Sequence, residues 1–208
     1  MKGRSWYARA ATSQSWSAAA GVTLLELVAA VAGTMVVGAM TVPLMRAGEG
    51  DREVRGAARH LATVLQRQRV DAIAHAASTA VRFQSSPSGT RFAVFVDGNG
   101  NGVRATDITK GTDPQVSPWE SIADHFPGVM FGVAPGVTDM DSGDVLTGSP
   151  VRIGGSDLLS FSPVGTASSA TLYLRGRHDQ QYAVRVLGVT GRIRTVRFHP
   201  QTRTWVAP

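Results

Sequence analysis

Hydrophobic and polar positions divide the chain into three stretches with different periods. From Val22 to Met45 every residue is uncharged except Glu26. A helix over 22–45 is about 36 Å long, enough to cross the hydrocarbon core of a bilayer with some tilt. Further on, Val54, Ala57, Ala58, Leu61, Val64, Leu65, Ala72, Ile73 and Ala76 recur at spacings of three, four and seven. That period predicts an amphipathic helix over 46–79, with Arg52, Arg55, Arg59, Arg67 and Arg69 on much of its polar surface. After Ala80 the helical period disappears. Short β-type runs follow at 81–84, 91–96, 129–134, 151–153, 158–161, 170–174, 182–187 and 192–198, punctuated throughout by Gly and Pro.

These periods predict an α+β chain. A long N-terminal helix, membrane-spanning in its first half and amphipathic in its second, packs on an antiparallel β-sheet domain over 80–208. Pro43 sits inside the helical pattern. It removes one backbone hydrogen bond, so the helix either ends near it or kinks there.

Glu26 changes the reading of the apolar stretch. A carboxylate costs roughly 2.5–3.5 kcal/mol at the centre of a membrane helix and less near its end. Near the start of a helix it is also favoured by the dipole. Upstream lie Lys2, Arg4 and Arg9 and no acid, which predicts a cytoplasmic N-terminus and a body beyond the membrane. Arg46 is a weak counter-signal, partly offset by Glu49 and Asp51. A conventional secretory signal has an apolar core of about 7–15 residues followed by a small-x-small cleavage site. Here the run is longer, and the small residues Ala18, Ala19, Ala20 and Gly21 precede it.

The sequence Gly21-Val-Thr-Leu-Leu-Glu26 behind a basic leader resembles the prepilin signal of type IV pilins and type II secretion pseudopilins. Their leader is cut after a Gly, and Glu stands fifth in the mature chain. Val22 occupies a position where that family more often has Phe. The order of leader, apolar helix, amphipathic helix and Gly-punctuated strands is similar to the GspH/FimT-type minor pseudopilins and pilins. Three segments sharpen the resemblance: Leu65-Gln-Arg-Gln-Arg-Val-Asp-Ala-Ile, Phe95-Val-Asp-Gly-Asn-Gly-Asn-Gly-Val and Phe161-Ser-Pro-Val-Gly.

The resemblance implies a leader at 1–21, cut by prepilin peptidase between Gly21 and Val22, with N-methylation on Val22. It implies a single pass through the bacterial inner membrane with the globular domain in the periplasm. The mature chain would join a type II secretion pseudopilus or a type IV pilus-like filament, beside major and minor pilins, and contribute to protein secretion. Glu26 would then meet the N-terminal amine of a neighbouring subunit, and Pro43 would bend a continuous helix.

Charge adds a second candidate. Residues 1–50 carry four basic and two acidic side chains, and residues 51–170 ten and twelve. Residues 171–208 carry seven Arg against Asp179 alone. Arg192 and Arg194 share one face of a strand, Arg197 falls on the other, and Arg203 and Trp205 follow. Guanidiniums suit phosphates and an aromatic ring can stack on a base. A Gly-Arg-x-Arg segment is associated with DNA binding in FimT-like pilins, so the alternative function is DNA capture in natural transformation through Arg192, Arg194, Arg197 and Arg203. A basic strand packed against neighbouring subunits is the other reading.

Asp97, Asn99 and Asn101 stand at the first, third and fifth positions of an EF-hand-type loop, with Gly102 sixth. Ile108 stands where the bidentate acid belongs. The loop is either a weak Ca²⁺ site or a polar turn in which Asn-Gly supplies the positive φ of a hairpin. No other cofactor is expected. There is no Cys, which removes disulfides and thiolate metal sites. The five His form no His-Glu-x-x-His pattern, and no Gly-x-Ser-x-Gly elbow or P-loop is present. An enzyme is therefore not expected.

Overall fold

A computed structural model of the chain describes residues 22–208, the side chains of 38–49 excepted. It divides into two units, one ending at Pro43 and one of Leu44–Pro208. Helix α1 (Leu24–Ala74) runs through the apolar stretch and the amphipathic one. Pro43 falls inside these bounds, and its side chain, where a bend is expected, lies outside the described residues. Among the described residues no helix is long and apolar enough to cross a membrane. The run expected to span one continues through 38–45, whose side chains are outside the described part.

The Leu44–Pro208 unit holds two antiparallel sheets. In the first, β1 (Thr79–Ser86) and β2 (Gly89–Val96) form a hairpin. Strand β3 (Glu120–Ser121) lies beyond β2, and β6 (Leu158–Phe161) lies beyond β1. The second sheet is built on β7 (Ala170–Arg175), β8 (Gln181–Leu187) and β9 (Arg192–His199). Strand β10 (Thr204–Val206) extends it past β9, and β4 (Met130–Phe131) and β5 (Val151–Ile153) both pair with β7. Two short helices, α2 (Ala105–Lys110) and α3 (Ile122–His125), lie in the connections.

The apolar stripe on α1 explains how both sheets share one core. Val54, Ala57, Ala58, Leu61, Leu65 and Ala72 are buried together with Val81 and Phe83 of β1, Leu172 and Leu174 of β7, and Val184 and Val186 of β8. The paired alanines keep the helix surface low where the strands cross it, and Leu61 and Leu65 fill the space left. Alternation along the strands sends their other residues to separate layers. Ala80, Ala93 and Phe95 lie under Val103, Ile108 and Trp119. Tyr173 and Ala183 lie under Leu146, and Phe198 packs with Val137 and Trp205. Central strands are thus covered on both faces, which is why 91–96 and 170–174 read as nearly continuous apolar runs.

Several boundaries differ from the sequence pattern. Helix α1 stops at Ala74, short of the expected 79, because Ala76 turns to φ 49° and Thr79 starts pairing with Val96 and Phe161. The expected strand at 129–134 shrinks to Met130–Phe131. The Gly132 N–H still donates to the Tyr173 carbonyl at 3.1 Å, and beyond it a side chain replaces the ladder. Gln181 Oε1 accepts the Ala134 N–H at 2.8 Å, and Gln181 Nε2 donates toward the Gly132 and Leu174 carbonyls at 3.2 and 3.1 Å. Helix α3 comes from a capping box: Ser121 Oγ accepts the Ala123 N–H, and Asp124 Oδ2 accepts the Ser121 N–H at 2.7 Å.

Candidate functional site

The N-terminal end of α1 is built on Thr23. Its Oγ1 accepts the Glu26 N–H at 3.2 Å, and its carbonyl accepts the Leu27 N–H at 3.1 Å. That is an N-cap arrangement, and it places Glu26 in the first turn, where the helix dipole favours a carboxylate. Every described residue from 22 to 37 is exposed, including Val22, Leu24, Leu25, Leu27, Val28, Val31 and Met35. Such a helix has apolar residues on all sides and no polar face to offer water. Gly21 and the leader lie outside the described residues.

The C-terminal arginines divide as the alternation of β9 requires. Arg192 and Arg194 are exposed, and among the described residues neither has an acidic partner within ion-pair distance. Arg197 points the other way, toward α1. Its Nη2 lies 3.0 Å from Asp51 Oδ1, and its guanidinium sits 6.0 Å from the Tyr182 ring centroid. The Tyr182 hydroxyl donates to the same carboxylate at 3.2 Å. Burial pushes the Tyr182 pKa up, and the adjacent Asp51 charge pushes it further, against the pull of Arg197. Arg197 is thus part of a clasp joining α1, β8 and β9. Arg203 adopts φ 52° in the turn between β9 and β10 and is exposed. The four arginines do not form one surface.

Arg194 continues a row across the second sheet that the sequence does not display. Arg152 of β5, Thr171 of β7, Arg185 of β8 and Arg194 of β9 are register partners in succession. Arg152 pairs with Asp139 and Arg185 with Asp141. Those two acids therefore neutralise Arg152 and Arg185.

The Asp97 loop is closed on its own backbone. Asp97 Oδ1 accepts the N–H groups of Asn99 and Gly100 at 3.1 and 2.8 Å, and Oδ2 accepts that of Gly102 at 2.7 Å. Burial alone would raise its pKa. The N–H groups of Gly102, Asn99, Gly100 and Asn101 outweigh that and hold the carboxyl below its ordinary value. Gly100 and Gly102 take φ 79° and 84°. The chain does not turn straight back there. It runs through α2 and returns beside β2 at Gln115, which bridges Phe95. Asn99 Oδ1 accepts the Asn101 N–H, and Asn101 Nδ2 donates to Asp107 Oδ2. Among the described residues, three His, Asp or Glu ligand atoms converge at His60, Glu120 and His125, not at this loop. Sequence reading treats those histidines as scattered, because 65 positions separate His60 from His125 and only the packing of α3 on α1 joins them.

No protein-family model matches the sequence, and no curated protein matches it. The structure is similar to that of the minor pseudopilin EpsH from the type 2 secretion system of Vibrio cholerae. The similarity has 13% sequence identity and a TM-score of 0.46, and it covers 70% of this chain and 97% of that one.

Proposed function

We propose that the chain is a minor subunit of a type II secretion pseudopilus or a type IV pilus-like filament. It is made as a precursor, held in the inner membrane by its apolar arm with the body on the periplasmic side, and cut by prepilin peptidase between Gly21 and Val22. Val22 is then N-methylated. The observation that carries this reading is the combination at the start of α1. Residues 22–37 are exposed and apolar all round, and one carboxylate, Glu26, stands in the first turn. Lipid or other apolar helices suit such a rod. A carboxylate left there without a partner is costly, and pairing with a neighbour's α-amine relieves that cost.

Glu26→Ala separates insertion from assembly. In the protein's own cells, the variant should reach the membrane at the wild-type level. Its share of sheared filaments should fall at least about tenfold, the equivalent of about 1.4 kcal/mol. Wild-type incorporation of the variant would remove the role assigned to Glu26.

A further inference from the structure

We propose that His60, Glu120 and His125 form a divalent-metal site of the zinc type in the Leu44–Pro208 unit. One ligand atom of each lies within 4.8 Å of the others. His125 Nε2 and Glu120 Oε2 are already 3.3 Å apart. Two ligands on a tetrahedral zinc, each about 2.0–2.2 Å from the metal, lie about 3.3–3.6 Å from each other. The His60 ligand atom lies within 4.8 Å of both.

A second observation concerns His60 itself. Its Nε2 is buried and has no hydrogen-bond partner. Buried polar atoms are nearly always satisfied, so an orphaned imidazole nitrogen requires an explanation. The ring lies against its counterpart, with the His60 and His125 centroids 5.1 Å apart, and against Phe126 at 5.8 Å. No basic side chain forms an ion pair with Glu120 among the described residues apart from His125 itself.

The three ligands stand on elements whose positions are fixed independently. His60 is one residue before Leu61, which is fully buried on the α1 stripe. Glu120 is held by the pairing of β3 with Phe92 of β2. His125 ends α3, whose start is fixed by the Ser121–Asp124 capping box. Gly56, one turn before His60, lets α3 come close: a Cβ there would lie 2.9 Å from Phe126 Cε1. Two imidazoles and one carboxylate suit Zn²⁺, with a fourth position left for water or a neighbouring subunit's side chain. The metal would tie the β3–α3 segment to α1 in a domain that has no disulfide to do so.

The test uses the tag-free full-length chain in detergent, stripped with chelator and titrated with Zn²⁺ by calorimetry. Co²⁺ substitution serves as a spectroscopic probe. One equivalent of Zn²⁺ should bind and raise Tm, and Co²⁺ should give the visible bands of a four-coordinate N/O site. His125→Ala and Glu120→Gln alter side chains that reach the surface, so their metal-free Tm should match the wild type. Each should weaken Zn²⁺ binding at least about tenfold. Absence of saturable binding, or binding by both variants at wild-type affinity, would overturn the assignment.

Discussion

Leu61→Ala should lower the stability of the Leu44–Pro208 unit by about 3–5 kcal/mol, as truncation of a fully buried leucine does where the surroundings cannot collapse. Leu61 has no exposed surface and lies in the cluster that joins α1 to strands of both sheets. Backbone ladders fix the sheets, and the helix is held by its own packing, so the void left by the lost isobutyl group is not easily filled. A domain has only about 5–15 kcal/mol in total, so the variant should sit near the edge of folding. Urea denaturation followed by circular dichroism measures the loss. Val70→Ala, at a half-exposed position on the same helix, should change stability by no more than about 0.5 kcal/mol. Equal effects at the two positions would mean that the stripe does not carry the core.

Gln181→Leu should cost about 2–4 kcal/mol although it keeps the side chain's size and adds apolar surface. Gln181 is buried, and its amide replaces a missing strand where β4 ends. The substitution leaves the Ala134 N–H without an acceptor and deprives the Gly132 and Leu174 carbonyls of a donor. Hydrogen exchange at the Ala134 amide should accelerate more than at the amides of β8, which keep their ladder bonds to β7 and β9. A neutral or stabilising substitution would show that these groups reach water.

Much of the β domain is legible in the alternation of apolar and polar residues, because both sheets bury the inward set against one helix. The runs at 151–153 and 158–161 coincide with β5 and β6, and those at 170–174, 182–187 and 192–198 fall within a residue of β7, β8 and β9. The parity that separates Arg197 from Arg192 and Arg194 is equally visible. Its partner Asp51 is not, since that pair forms only when the strand lies over the helix. The same limit hides the role of Gln181, the Arg152–Thr171–Arg185–Arg194 row, and the meeting of His60 with Glu120 and His125. Each depends on residues far apart in sequence whose alignment is set by packing. The Asp97 loop is a different case. Its spacing suits either a cation or a turn, and the backbone N–H groups occupy the carboxylate. The Gly21–Glu26 signature is read from sequence, with structure adding the exposed helix that begins within it, at Leu24.

The most direct measurement is mass spectrometry of the N-terminus of the protein recovered from the membranes and filaments of its own cells. A mature chain that starts with N-methylated Val22 and keeps the whole apolar helix is the expected result. A chain that retains Met1 in both fractions, or one trimmed to a point beyond Met45, would contradict the account.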